Sequence, residues 1–461
     1  MPPTEIISDG IKDGLRRLAF WLWFGSIFSL VLPFAWPQLC PQAVEISLHL
    51  LWLEFIITGC VWCFFEDNWP ALVGAGWLLA CTLGVWLPLK GTLFFAQSPP
   101  SFTSFVWMLL LGYSSLRLGL ACASRITFLQ IGLAKLCRML SPEIIAPRTY
   151  KYSLYGISVL SIATIIGFYI YFETIPLFSD NPAISRYQHF NGPYTHNLAR
   201  FYYRIFSSLS LVSSFFIVSL YAKKLTTKEK ILAFTTVMLS LGCMLGSGSR
   251  GDAAALSLFI AIIAIFSLQG RKRLFVGGIL GLFFGIVFCL LTYYRNKSGL
   301  VSFAVIFPEI GDAVLLINAA DKHDVPWAWG KTYASAILSF IPSSLCPFRM
   351  TYGFGRYSLE ILHMGSNIPI APSYGGLRPT FVGEAYLNGG IPGILIFGFL
   401  LGTLLGTWRS LQKKITPESG ACVLFFTLSL FTVMVSDFYG LLHGLALLMG
   451  LVWLSERIFT R

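Results

Sequence analysis

Apolar runs of about twenty residues recur from Leu18 to Phe459, separated by short polar or basic stretches. A helix rises about 1.5 Å per residue, so each run is long enough to cross the roughly 30 Å hydrocarbon core of a bilayer. The pattern predicts spans at 18–36, 43–65, 70–89, 101–121, 152–172, 205–221, 229–247, 252–269, 274–294, 381–408, 420–436 and 440–456. An even number of crossings puts both termini on one side. Two long interruptions, 173–204 and 295–380, divide the chain into helices within 1–172, a first loop, helices within 205–294, a large second loop, and helices within 381–461.

Composition agrees with that pattern. The 461 residues are 56% hydrophobic and 12% charged, against roughly 25% charged in a soluble domain, so water is not the main solvent. Of the 33 lysines and arginines, 20 fall on the side of the N-terminus and 12 on the other, which has nearly twice as many loop residues. The positive-inside rule then makes both termini cytoplasmic and both long loops external. The basic segments 122–151 and 222–230 face anionic lipid and act as topology determinants, which excludes a nucleic-acid partner. The first apolar run follows Lys12, Arg16 and Arg17 without a small-residue cleavage site, so it reads as a retained helix. The ten cysteines show no metal-ligand spacing.

The 295–380 loop is rich in aromatic, Pro and Gly residues, unlike disordered sequence, and reads as a folded cap over a cavity. External arginines include Arg186, Arg200, Arg204, Arg250, Arg295, Arg349, Arg356 and Arg378. Their planar donor forks suit phosphate or pyrophosphate, while single ones also snorkel to headgroups. Gly246–Gly251 spells G-x-G-x-x-G but follows a membrane-length helix rather than a strand, so it is not a dinucleotide fingerprint. There Ser249 or Asp252 can cap a helix starting near Ala253, with Arg250 at its anion-favouring end. Glu384, at the external mouth of the tenth span, suits either proton abstraction from a sugar hydroxyl or pairing with an arginine. His189, His196 and His363 are external too. Glu54 and Arg117 lie inside spans, where pairing with each other is the economical solution.

Four places resemble the Wzy-type oligosaccharide repeat-unit polymerases, the family that includes O-antigen and enterobacterial common antigen polymerases. They are Thr174–Ser179 with Arg186 downstream, Gly248–Gly251, Phe340–Ser343, and Pro379–Gly390. The chain departs from that pattern in the last external turn, Ser436–Gly440, which has no arginine. The resemblance implies an all-α polytopic membrane protein of about twelve helices with large periplasmic loops, GT-C-like, in the bacterial inner membrane. It implies a glycosyltransferase that joins undecaprenyl-pyrophosphate-linked repeat units without cofactor or metal. Catalytic roles fall to Glu384 and Arg250. Arg186, Arg204, Arg295, Arg378, His196 and Ser249 hold pyrophosphate or glycan. Partners are the lipid-linked oligosaccharides, membrane lipids, and a chain-length regulator and a flippase. An O-antigen ligase and a lipid-linked-oligosaccharide flippase or transporter are the competing readings.

Overall fold

The computed structural model describes residues 3–66, 68, 71–72, 75–76, 99–128, 130–132, 134, 147–171, 173–180, 185, 225–246, 275, 278–279, 282, 286, 309–338, 345–364 and 381–412. Every regular element among them is helical. The long helices are α1 (Pro3–Ala35), α2 (Cys40–Cys60), α3 (Pro99–Cys122), α4 (Pro147–Tyr171) and α5 (Thr227–Gly246). Four short helices follow in the second loop: α6 (Glu309–Lys322), α7 (Lys331–Ile337), α8 (Pro347–Tyr352) and α9 (Phe354–Leu362). The last is α10 (Phe381–Gln412). Five stretches are long and apolar enough to cross a membrane: Asp9–Ala35, Gln42–Glu66, Thr103–Arg125, Tyr152–Tyr171 and Val382–Thr407. Each falls on a run expected from the sequence. The expected spans at 205–221, 252–269, 420–436 and 440–456 lie outside the described residues.

The helices are inside-out relative to a soluble bundle. In α1 the large side chains Phe20, Trp21, Phe24, Phe28 and Phe34 point outward, while Ser26, Ser29 and Leu30 are buried. Lipid solvates apolar surface, so small and polar residues are left to bring helices together. Ser26 Oγ lies 2.8 Å from Ser47 Oγ of α2. At the other end of the pair, Lys12 and Arg16 reach Glu66, in the widened turn that ends α2, closing an antiparallel hairpin.

Helices α3 and α10 make the tightest pairing. Gly398, Gly402 and Gly406 recur every fourth residue on α10 and lie against the carbonyls of Gly112, Leu116 and Leu120 of α3; a Cβ at any of the three would collide with backbone. That order runs the same way along both chains, so the two helices are parallel. Helices α4 and α5 are also parallel, because Tyr155 donates to the Glu229 carbonyl near their starts and Tyr169 to the Cys243 carbonyl near their ends. The expected alternation of spans gives these same relative directions.

Glu54 of α2 and Arg117 of α3 pair, as their positions within apolar spans suggested. Glu54 is fully buried, and besides Arg117 it accepts from Thr58 and Tyr113, each at 2.7 Å. Every charge in this network is answered, which is how an ionised group is retained inside a membrane protein.

The described part of the second loop is folded. Helix α6 buries Ala313, Leu316, Ile317 and Ala320, an i, i+3, i+4, i+7 face. Ala313 and Ile317 join the core formed with α3 and α10, and Leu316 and Ala320 pack with Ala328, Tyr357, Ile361 and Leu387. Asp324 (φ 47°) ends α6 in the left-handed conformation, with Val325 N–H returning to the Ala320 carbonyl at 3.0 Å.

The tenth span falls where expected, and within it α10 leaves helical geometry at Gly389 and at Gly390 (φ 61°, ψ −149°). The second half folds back so sharply that Gly393 comes against the Ala385 carbonyl. The φ/ψ region of Gly390 is nearly closed to any residue with a side chain. From Ile391 to Gln412 the second piece still measures about 33 Å, enough to cross a bilayer by itself.

Candidate functional site

The break in α10 strands backbone carbonyls, and the loop between α6 and α7 satisfies them. Pro392 has no N–H to offer Asn388, and the turn at Gly389–Gly390 removes the helical partner of Leu387. Ala328 N–H donates instead to the Leu387 carbonyl and Trp329 N–H to the Asn388 carbonyl, both at 2.9 Å. Gly330 N–H adds a third bond, to Asn388 Oδ1 at 2.9 Å. The cap is thereby bonded to the broken end of a membrane helix, one turn from Glu384.

Those bonds orient the site. A backbone N–H can only donate, so the Asn388 end facing Gly330 is its oxygen, and its nitrogen faces the other way. That nitrogen donates to Thr332 Oγ1 at 2.7 Å and to the Glu384 carbonyl at 2.9 Å. With its oxygen already accepting, Thr332 directs its single proton to Glu384 Oε1, 2.9 Å away. Glu384 is half-buried, and Oε2 has no hydrogen-bond partner among the described residues. The result is a carboxylate with one oxygen pinned by Thr332.

Aromatic residues surround it. The Tyr333 ring stacks on Phe397, with centroids 4.9 Å apart. Its phenol is enclosed, with no hydrogen-bond partner in good geometry among the described residues. Burial first, then the Glu384 carboxylate, hold that phenol well above its ordinary range against the opposing Asn388 amide, so it remains protonated. Trp327 lies on Gly390, where a Cβ would sit 2.8 Å from the indole. Tyr386 donates to Asp321 Oδ1 at 2.8 Å, tying the first piece of α10 to α6. Lys331 sits over the Tyr352 ring, 4.8 Å from its centroid.

A second region joins two of the stretches singled out in the sequence. Pro176–Phe178 forms a single tight turn with Pro176 buried and Phe178 exposed. It lies at the end of α5: a Cβ on Gly246 would meet the Tyr169 hydroxyl at 3.1 Å and Ile175 Cγ2 at 3.2 Å. The Pro-Leu-Phe turn thus adjoins the point where the chain enters Gly248–Gly251.

Of the candidate residues, Glu384 is therefore placed. Arg186, Arg204, Arg250, Arg295, Arg378, His196 and Ser249 lie outside the described residues. Arg356 binds Glu360 on its own helix at 2.9 Å. Sequence reasoning missed Thr332, Asn388, Tyr333 and the Trp327–Trp329 pair. The available signal was Asn388-Gly389-Gly390 followed by Pro392, a helix-breaking run inside an apolar span. Searches with the chain return no match to a protein-family model, a curated protein or a solved structure.

Proposed function

We propose that this chain is a polymerase of lipid-linked oligosaccharide repeat units, acting on the periplasmic face of the bacterial inner membrane. In this reading the architecture is a GT-C-like bundle of about twelve spans with both termini cytoplasmic. The growing glycan leaves undecaprenyl pyrophosphate and joins the terminal sugar of an incoming unit. One observation carries the reading: a carboxylate oriented by Thr332, held where the folded loop meets the head of α10, in the stretch that most resembles the repeat-unit polymerases.

The chemistry follows from the parts. Glu384 Oε2 takes the proton from the acceptor hydroxyl as that oxygen bonds to the donor's anomeric carbon. The bond from that carbon to pyrophosphate breaks, the pair of electrons leaves with the phosphate oxygen, and the anomeric centre inverts. Pyrophosphate is a good leaving group, so the remaining demand is to stabilise its charge. Arg250 serves there, with Arg186, Arg204, Arg295 and Arg378 and the neutral donors His196 and Ser249. Guanidinium groups do this without a metal ion.

Deletion of the gene followed by gel analysis of surface glycan tests the reading. Core carrying a single repeat is the expected result. Bare core instead identifies a ligase, and absence of periplasmic repeats identifies a flippase.

A further inference from the structure

We propose that Trp327 and Trp329 form a stacking platform for the acceptor glycan, a saccharide subsite whose reacting edge is Glu384. The assignment of Glu384 to catalysis rests on the polymerase reading, whereas the platform rests on the geometry of the cap.

Both indoles are open to solvent, Trp327 at 46% and Trp329 at 73%. Their centroids are 5.5 Å apart and their planes meet at 70°, so they present two faces at an angle. The C–H faces of pyranose rings are the kind of apolar surface an indole covers. Trp329 has φ 51°, a left-handed conformation that a bulky residue adopts only under strain. The exposed ring recovers little of that through burial. The strain is maintained by the bonds from Trp329 and Gly330 to Asn388, the residue that also orients Thr332 towards Glu384. The platform and the Glu384 carboxylate are consequently set by one residue, through the backbone carbonyl and the side-chain amide of Asn388.

The test uses full-length protein in nanodiscs and, as probe, the oligosaccharide released by mild acid from the lipid-linked repeat units of the source cells. Binding is read by calorimetry. Wild-type protein binds, Trp329→Ala weakens binding at least about tenfold, and Trp329→Phe, which keeps an aromatic face, stays within about threefold. In the polymerisation assay Trp329→Ala raises the acceptor KM and leaves kcat within about threefold. Absence of wild-type binding, or equal binding by wild type and Trp329→Ala, overturns the platform. So does quenching of the two indoles by brominated phospholipid that the oligosaccharide does not relieve, which would make them headgroup anchors. Failure of the polymerase reading shows separately: polymer then forms normally in cells deleted for the gene, while loss of binding in Trp329→Ala still upholds the platform.

Discussion

Glu384 is oriented by neighbours remote in sequence: Thr332 is fixed by Asn388, and Asn388 by the Gly330 amide. Glu384→Gln removes the proton acceptor and is expected to slow polymerisation by about 10²-fold or more at normal expression. Thr332→Val keeps the shape but releases one carboxylate oxygen, for a loss of roughly tenfold in rate. Both are measured with lipid-linked repeat units and purified protein. The proposed role of Arg250 gives a separate expectation. Arg250→Lys retains charge but loses the bidentate fork and should be severely impaired, while Asp252→Asn, which caps a helix about as well, should be mild. The reverse pattern in the same assay would move the base to Asp252. Glu384, Glu54 and Arg117 were legible in the sequence because a charge in an apolar run stands out. Thr332 and Asn388 were not. Each is an ordinary polar residue alone, and only a fold that closes a loop of about fifty residues makes them a pair.

The break in α10 is the element on which the site depends. Periodicity located this span well, since hydrophobic length is indifferent to a kink. The same smooth hydropathy hid the kink, because Gly389 and Gly390 are scarcely less apolar than their neighbours. Gly390→Ala forces a side chain into a left-handed position and against the Trp327 ring. A cost of about 1–3 kcal/mol from the backbone is expected. The cap should then detach from α10, read as faster proteolysis within 309–364 and a lower melting temperature in detergent. The short helices α6 to α9 were not individually legible. The loop's composition argued for a fold but carried no long period to read.

Across the described helices, the directions of α1 with α2, α3 with α10 and α4 with α5 agree with the alternation of spans, and the charge count gives the expected sidedness. Alkaline phosphatase fused within 345–365 is expected to be active, and fused at 225 inactive. The Glu54–Arg117 pair fastens α2 to α3. Glu54→Gln or Arg117→Leu alone should lower detergent stability by about 3 kcal/mol, the lower end for a broken buried pair because Arg117 is partly exposed. Removing both with Glu54→Met and Arg117→Leu should cost less than the two single changes together, which thermal melting can check. The pairing of α3 with α10 has a consequence in time. Ser115 and its acceptor Leu395 are 280 residues apart. At about 5–20 residues per second, the ribosome needs roughly a quarter of a minute to a minute to deliver α10 after α3. During that interval the face of α3 that will receive the glycines is a nascent groove without its mate. The Glu54 lock, completed as soon as α3 emerges, holds that groove in register, so assembly of the α3–α10 pair waits on a partner synthesised much later.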